Sequence, residues 1–542
     1  MKNILRYTAI FSVLAAVATT GCIKETFPTG SSISAEQAVS SADAQKSMTA
    51  AIANYAANAM VYQGSNPVHS FYGYPSLCAH REVMGNDLTI ASNPYGWYSQ
   101  FQNNQSLSST SAHIQAFWNI YTKIIALSND VIRMNPDNVE EINEVNKPYA
   151  GAAYAYRALA MLEMTEFYEF KENNYTTGTN IVGLTAPYLH EDMTVEYAKN
   201  NPRLNKADAL VKIYELLDKA VVLLADKAPT TDKTLPDLAV AYGIYARAKL
   251  YEGDYAKAKE YAELALASGN YSPLTKEQWA STTTGFNDAD SQQSWMLCIR
   301  TSSESNVVKT GIINFVSFMS NENSYGYGGP GAGAYVMVDA NFYSQIPNTD
   351  FRKLSWKAPA GHPLEAEVSF IPAVEGGYPG PEELPEYGAI KFRPGEGNPD
   401  DYLVGSATDF PMMRMEEMKF IIAECDARNG DASSLVEIVK TRNPEYTCTK
   451  TGTELLKEVF FQKRIEFWGE GVMFFDYKRC PELLKIERGY PGTNHPELAR
   501  FNCDGLAPWF NVPINGYEAQ DNKALSETNN PDPSGTVTPW ME

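Results

Sequence analysis

The sequence lacks the motifs on which most catalytic sites are built. Its six histidines are scattered without metal-ligand spacing, and no H-E-x-x-H, G-x-S-x-G or G-x-x-x-x-G-K-[ST] motif occurs. No predicted strand leads through a G-x-G-x-x-G turn into a helix. We therefore predict no catalytic residue, metal or cofactor, although 65 acidic residues leave open the two facing carboxylates that a glycosidase needs.

Basic residues are also in short supply. The chain has 44 Lys and Arg against 65 Asp and Glu, a formal net charge of −21, and it has no basic cluster. A surface of that sign repels phosphate backbones. We therefore expect no nucleic-acid partner.

Cysteine is scarce and irregularly spaced. After Cys22 no C-x-x-C pair occurs that would hold zinc or support redox chemistry. We expect most of the others to be small buried side chains, and the loop-like sequence around the last three leaves one disulfide open. These cysteines are Cys78, Cys298, Cys425, Cys448, Cys480 and Cys503.

Long apolar runs are absent except near the N-terminus. Lys2 and Arg6 precede the apolar run from Ile10 to Val17, which is typical of a secretory signal. The small residues ending in Gly21-Cys22 resemble a bacterial lipobox, in which the chain is cleaved before an acylated cysteine. An ordinary signal peptide followed by an incidental cysteine is the alternative.

This pattern divides the chain into three parts. We predict a lipoprotein signal peptide at 1–21, a lipidated N-terminus with a flexible Ser/Thr/Pro/Gly-rich stalk at 22–33, and one folded domain at 34–542. No later stretch approaches the ~20 apolar residues that span a bilayer as a helix. The folded part is therefore expected to be tethered by lipid.

Helical periodicity dominates the first half of the chain. Ser34–Gln37 fits a capping box, and a helix is predicted from Ala44 to Tyr62. Leu238–Ser268 has small and aromatic residues at helical spacing on both sides of Gly253, which indicates a tetratricopeptide-type helical hairpin. Weaker hairpins are predicted around 149–168, 206–224, and 412–427 followed by 433–440.

The texture changes after residue 282. Trp295–Ile299 reads as a short strand, Ser324–Ala334 is almost entirely Gly, Tyr and Pro, and 357–401 is dense in Pro, Gly and Glu. We predict a mostly α fold, a tetratricopeptide-like scaffold with a few short β-strands and a loop-rich face around 282–401. Such irregular faces often carry recognition.

Four separated segments carry a resemblance to a known family. They are Gly151–Tyr168 (GAAYAYRALAMLEMTEFY), Asp409–Cys425 (DFPMMRMEEMKFIIAEC), Gln462–Arg479 (QKRIEFWGEGVMFFDYKR) and Asn511–Asn515 (NVPIN) with Asn529-Asn530-Pro531. In order and in charged positions they resemble the SusD/RagB family of Bacteroidetes outer-membrane nutrient-binding lipoproteins. The matching charged residues are Arg157, Arg414, Glu417, Glu424, Arg464, Glu466, Glu470, Asp476 and Arg479.

The third segment departs twice from the family pattern. Gln462 stands where the family usually has Glu, and Met473 where it usually has Arg, so an ion pair common in relatives is expected to be absent. We expect Glu466 and Glu470 to share a helix face with Lys463 in a structural salt-bridge network.

The resemblance implies a function as well as a fold. It implies a non-enzymatic cell-surface lipoprotein that captures oligosaccharide or polysaccharide and delivers it to a SusC-like TonB-dependent transporter of the outer membrane. The acidic cluster that directs surface export in this phylum is reduced to Glu25, so a periplasmic orientation stays open. The family's motif residues hold the scaffold together and do not locate the ligand.

Aromatic residues in loops are the candidates for ligand binding, because sugars stack their apolar C–H faces on aromatic rings. Residues 93–100 contain Tyr95, Trp97 and Tyr98 between Asn and Gln donors, and Trp97 is the first candidate to stack on a sugar. A core tryptophan that pins the loop is an equally strong interpretation. Arg81 and Asp87 could bind hydroxyls, although we favour a structural ion pair.

The Gly-rich segment supplies the second group of candidates. Tyr325, Tyr327 and Tyr335 stand among glycines, where the backbone could present their rings to a ligand or to a transporter rim. Trp356 and Tyr378 flank or lie within the Pro-Gly-Glu region and rank third.

Rival functions remain open from the sequence. The helical repeats could bind only protein, the ligand could be a peptide, or the chain could be an enzyme of unfamiliar type supported only by its abundance of carboxylates.

Overall fold

The computed structural model of the protein describes residues 41–60, 62–63, 66–91 and 97–542. Several predictions fall on other residues, namely those on the signal peptide, Cys22, the stalk, the capping box at Ser34–Gln37, and Tyr95.

Helices form the frame of the structure. Within the described ranges, those of seven residues or more are α1 (Ala42–Asn58), α2 (Tyr74–Val83), α3 (Ala112–Arg133), α4 (Lys147–Tyr168), α5 (Lys206–Leu224), α6 (Leu238–Glu252), α7 (Tyr255–Ala267), α8 (Met415–Arg428), α9 (Ser433–Lys440), α10 (Gly452–Glu466) and α11 (Met473–Arg479). Shorter α-helices lie at Ser99–Gln102, Val195–Ala198, Lys276–Ala280, Asn306–Lys309, Phe315–Met319, Ala340–Gln345, Tyr402–Gly405, Gly516–Asp521 and Lys523–Ser526.

Strands are short and occur in antiparallel pairs. They are β1 (Tyr62–Gln63), β2 (Asn66–Pro67), β3 (Leu88–Ile90), β4 (Leu184–Pro187), β5 (Arg203–Asn205), β6 (Trp295–Arg300), β7 (Val336–Val338) and β8 (Asp409–Arg414). β1 pairs with β2, β3 with β7, β4 with β5, and β6 with β8. β1–β2 and β4–β5 join nearby segments, whereas β6–β8 joins segments more than 100 residues apart and β3–β7 segments more than 200 residues apart in the chain.

Consecutive helices pack against one another from α3 through α9, as expected for stacked helical hairpins. The predicted hairpin consists of α6 and α7, and Gly253 ends α6 with a φ of 94° that disfavours other residues. The ring of Tyr245 in α6 stacks on Tyr261 of α7 at 4.2 Å and on Tyr214 of α5 at 5.7 Å. The mostly α, tetratricopeptide-like fold is therefore confirmed.

Three local predictions are wrong. The first helix ends at Asn58 rather than Tyr62. Residues 409–414, partly assigned to a helix, form strand β8, because a short buried apolar run does not distinguish a strand from a helix. Glu470 does not share a helix face with Glu466, because α10 ends at Glu466 and Gly469 and Gly471 take φ values of 81° and 70°.

The remaining local features concern the cysteines, the C-terminal tail and the length of the helices. All six cysteines after residue 22 are free, so the disulfide left open among the last three is not formed. The C-terminal tail docks on the fold, because the Trp540 amide donates to the Arg500 carbonyl at 2.6 Å. Among the described residues, no helix is long and apolar enough to cross a bilayer.

The charged residues of the family-like segments form a buried network around Glu466. Its carboxylate pairs with Arg414 and Arg442 at 3.1 Å and with Arg352 at 3.2 Å. Glu470 pairs with Arg414 at 2.9 Å and with Lys391 at 2.7 Å. Glu466 and Glu470 thus take part in a buried salt-bridge network, but its cations differ from the predicted one, because Lys463 pairs with Asp476 instead.

This network is balanced in charge. Asp350 pairs with Arg352 at 2.6 Å, and Glu416 pairs with Arg442 at 2.7 Å and with Arg414 at 2.9 Å. With Glu466, Glu470 and Lys391 included, four carboxylates meet four cations, and all of these side chains are almost fully buried. The surrounding guanidinium groups hold the pKa of Glu466 well below its ordinary value despite its burial.

We expect the substitution Glu466→Gln to destabilise the fold by about 3–5 kcal/mol, because it leaves buried guanidinium groups without their anion. The measurement is the urea midpoint or the melting temperature of the purified protein. Glu437→Gln is the control, since Glu437 forms an exposed pair with Lys419 at 2.8 Å, and its loss should cost at most about 1 kcal/mol. Equal shifts in the two variants would contradict a structural role for the network.

Candidate functional site

The β3–β7 pair brings two distant loops together. Leu88 pairs with Val338 and Ile90 with Val336, and the Ala91 amide donates to the Tyr335 carbonyl at 2.9 Å. The chain that leaves β3 toward Trp97 therefore starts beside the end of the Gly-rich segment. This register explains why candidates from two separate stretches meet in space.

An aromatic cluster forms from His69, Trp97 and Tyr327. The ring centroid of His69 lies 4.8 Å from that of Trp97 and 5.8 Å from that of Tyr327. The Tyr327 hydroxyl is hydrogen-bonded to His69 Nδ1. All three side chains are half-buried, so the cluster is anchored yet reaches solvent.

The cluster rests on an aromatic and histidine-rich layer of the core. Trp97 packs against Val68, Phe71 and Ala116. The imidazole of His80 stacks on Phe71 with centroids 5.2 Å apart. This layer fixes one side of Trp97 and leaves the other side toward His69.

The histidines in and below the cluster are uncharged at neutral pH. Burial lowers the pKa of His69 below its ordinary 6.5, and it lowers the pKa of His113 to about 4. The pKa of His80 also lies well below its ordinary value, because its ring is buried and lies near His113. The cluster therefore presents rings and neutral hydrogen-bonding groups.

The other two tyrosines of the Gly-rich segment point elsewhere. The Tyr325 hydroxyl packs against Gly405, and its ring lies 6.4 Å from that of Tyr402. The Tyr335 hydroxyl donates to the Glu383 carbonyl at 3.1 Å. The structure brings Tyr327 to Trp97 and separates Tyr325 and Tyr335 from this pair.

Tyr98 is buried, which corrects its assignment as a ligand residue. It is 2% exposed, its ring stacks on Phe318 with centroids 3.5 Å apart, and its hydroxyl is hydrogen-bonded to that of Tyr72. Trp356 and Tyr378 are buried as well and present no ring to solvent.

Arg81 and Asp87 lie inside the protein in ion pairs, which is the structural role favoured from the sequence. Arg81 donates to Glu163 at 2.6 Å, and Asp87 accepts from Arg464 at 2.8 Å. Both are less than 5% exposed. The alternative assignment to sugar hydroxyls is corrected, because neither side chain reaches the surface.

Two cavities elsewhere in the protein lack exposed aromatic rings. One, of about 70 Å³, lies among buried charges such as Arg247, Glu166 and Glu417, and it is far smaller than the roughly 300–1,000 Å³ of ligand pockets. The other is a groove of about 760 Å³ lined mainly by Asn, Thr and acidic residues of 172–182, 481–485 and 504–506. Phe170 is the aromatic residue in its lining, and it is only 1% exposed.

The aromatic cluster is consequently the best-supported binding surface among the described residues. Half-buried rings can bind the apolar faces of sugars, and the Tyr327 hydroxyl and Nε2 of His69 can exchange hydrogen bonds with sugar hydroxyls. His69 was not among the predicted site residues, because a single histidine before Phe71 belongs to no recognisable motif. Only the fold places it between the two predicted rings.

Comparison with known proteins agrees with this architecture. Residues 398–535 match the model of the SusD family, a range that contains three of the four family-like segments. The predicted resemblance to the SusD/RagB family is confirmed. No curated protein matches the chain in a sequence comparison.

Solved SusD-like structures share the fold along nearly the whole chain. A SusD-like carbohydrate binding protein from Bacteroides vulgatus has a TM-score of 0.67 and 19% identity, covering 90% of this chain and 98% of its own. A SusD superfamily protein from Bacteroides thetaiotaomicron has a TM-score of 0.65 and 16% identity, with coverages of 91% and 100%. At such identities the similarity establishes the SusD-like fold.

One of the similar structures contains a glycan. Surface glycan-binding protein A from Bacteroides thetaiotaomicron, solved in complex with laminarihexaose, has a TM-score of 0.61 and 16% identity, with coverages of 90% and 99%.

We expect Asp87→Asn to lower stability by about 3 kcal/mol without changing ligand affinity, because it breaks a buried pair and leaves Arg464 unpaired. The two readouts are the melting temperature and the glycan retention of the folded protein. Asp290→Asn is the control, since Asp290 pairs with Arg300 but is 69% exposed. If Asp87→Asn lost glycan retention at an unchanged melting temperature, Asp87 would instead be a ligand-binding residue.

Proposed function

We propose that this protein is a non-catalytic glycan-binding protein and that Trp97 and Tyr327 form its sugar platform. The observation that carries the proposal is the meeting of these two rings at His69, 4.8 and 5.8 Å away, on the loop-rich side of the SusD-like fold. The laminarihexaose complex of a protein with this fold supports the choice of ligand class. Tyr325, Tyr335 and Tyr95 remain secondary candidates on the strength of the sequence alone.

The proposal extends to the place of the protein in the cell. Cleavage before Cys22 and its acylation would anchor the chain in the outer membrane, with residues 22–33 as a stalk and 34–542 as one folded domain. The family resemblance supports a SusC-like TonB-dependent transporter as the partner that receives the glycan. In such an arrangement glycan must bind the closed state of the pair more tightly than the open state, since otherwise it could not favour closure.

Single substitutions Trp97→Ala and Tyr327→Ala should each weaken glycan binding by about tenfold or more, because a central aromatic contact contributes roughly 2 kcal/mol. The measurement is affinity electrophoresis against a panel of neutral polysaccharides, followed by calorimetry on the polymer that the unsubstituted protein binds.

A matched control comes from a second histidine–tyrosine contact. Tyr197 is 43% exposed, and its ring lies 5.0 Å from His190, so Tyr197→Ala removes a similar exposed ring elsewhere. This control should leave retention unchanged. Unchanged retention of both Trp97→Ala and Tyr327→Ala on a bound polymer would remove the platform, and copurification with a transporter without any glycan binding would favour a protein scaffold.

Cys22→Ser should move the protein from the membrane fraction to the soluble fraction and abolish incorporation of labelled fatty acid, because it removes the acylated thiol. Cys448→Ser, at a half-buried free cysteine, is the control and should leave both properties unchanged. Continued lipid incorporation in Cys22→Ser would overturn the lipobox assignment.

A further inference from the structure

The segments that build the aromatic cluster contain no formal charge. Residues 47–80, 88–122 and 323–338 include no Asp, Glu, Lys or Arg, although these make up 20% of the chain. His69, Trp97 and Tyr327 each come from one of these three segments. The surface is thus assembled from the parts of the sequence that lack charge.

The absence of charged residues holds for every position of the three segments. Positions 61, 64–65 and 92–96, which the structure does not describe, fall within the first two segments, so their side chains are uncharged as well. The local hydrogen-bonding groups are the amides of Asn and Gln, hydroxyls, and imidazoles that are neutral at pH 7.

The two charged residues that flank the third segment, Glu322 and Asp339, are both buried inside the protein. Glu322 is fully buried and pairs with Arg393 at 2.8 Å, and it also accepts from the Ile371 amide at 2.8 Å. Neither charge of this pair is exposed to an incoming ligand.

The neighbouring Pro-Gly-Glu region adds only negative charge to the surface. Its three basic residues are engaged within the protein: Lys391 pairs with Glu470, Arg393 with Glu322, and Lys357 donates to two backbone carbonyls at 2.6 and 2.8 Å. Its exposed charged residues are Glu365, Glu367, Glu375, Glu382, Glu383, Glu386, Glu396 and Asp401. The carbonyl of Glu383 accepts from the Tyr335 hydroxyl, which connects this region to the third segment.

We infer that the aromatic cluster takes an uncharged glycan and rejects carboxylated or sulfated polysaccharides. The inference rests on the proposed function and narrows its substrate class. An anionic sugar bound at these rings would lose water without gaining a cationic partner, and it would meet the overall negative charge of the protein. A neutral sugar meets rings and neutral hydrogen-bonding groups. The surface therefore favours neutral over anionic glycans, because it offers no cationic side chain to an anionic one.

The test compares one polymer in three forms. Laminarin, dextran and galactomannan are each used unmodified, hydroxyethylated and carboxymethylated to the same degree, and affinity is measured by calorimetry with the whole protein. For the polymer that binds, the hydroxyethylated form controls for added bulk. The carboxymethylated form should bind about tenfold more weakly than the hydroxyethylated one at low salt, and the difference should shrink as salt screens the repulsion.

A charge-insertion variant sharpens the test. Gln100 lies three residues after Trp97 and is half-buried, so Gln100→Lys places a cation near the cluster, and Gln100→Met is its neutral control. Gln100→Lys should recover binding of the carboxymethylated polymer, whereas Gln100→Met should not.

The possible outcomes separate the two proposals. Equal or tighter binding of the carboxymethylated polymer by the unsubstituted protein would overturn the inference and leave the glycan-binding function standing. If the protein binds neither these three polymers, in neutral or charged form, nor any polysaccharide of a wider panel, the proposed function is overturned, and the inference with it.

Discussion

The fold depends on the burial of Glu466 among three arginines. A carboxylate at this depth is stable only if cations accompany it, and those cations then require further anions. Arg414 is the last residue of strand β8, which pairs with β6. Arg442 lies after helix α9, and Arg352 comes from the loop-rich half of the chain. Pairing with one residue at the end of α10 therefore ties the helical frame to the irregular face, which has little regular structure of its own to hold it in place.

The same helix also positions the candidate site. Arg464, two residues before the end of α10, pairs with Asp87, and the indole nitrogen of Trp468 donates to the Asp87 carbonyl at 2.8 Å. Asp87 directly precedes β3, whose pairing with β7 sets the register that brings Trp97 and Tyr327 to His69. A buried ion pair is thus connected to the surface rings through one short strand. The Asp87 side chain stabilises the fold below the site and does not itself reach the surface.

Features that repeat along the chain could be predicted from the sequence, whereas features that depend on distant pairing could not. The α6–α7 hairpin, the helix at 206–224 and the strand after residue 294 follow from local periodicity and a Gly turn. The end of α10 and the strand β8 were misassigned because glycine φ values and a partner strand, rather than local propensity, decide them. At the site, adjacent residues Trp97 and Tyr98 share the same loop composition, yet one is half-buried and the other packs on Phe318. Nothing local distinguishes the two.

The separation of charge within the molecule explains why the family-like segments do not reveal a ligand. Their charged residues are neutralised inside the frame, and nearly all are inaccessible, so they report how the scaffold is held. The rings at the surface come from stretches without charge, where local sequence places few constraints on conformation and the β3–β7 register supplies the geometry. Changes in these stretches would leave the buried network intact while altering the shape and polarity presented to a glycan. One helical frame can therefore carry different ligand specificities. The residues that select the ligand lie in the loops, and similarity between frame residues does not identify them.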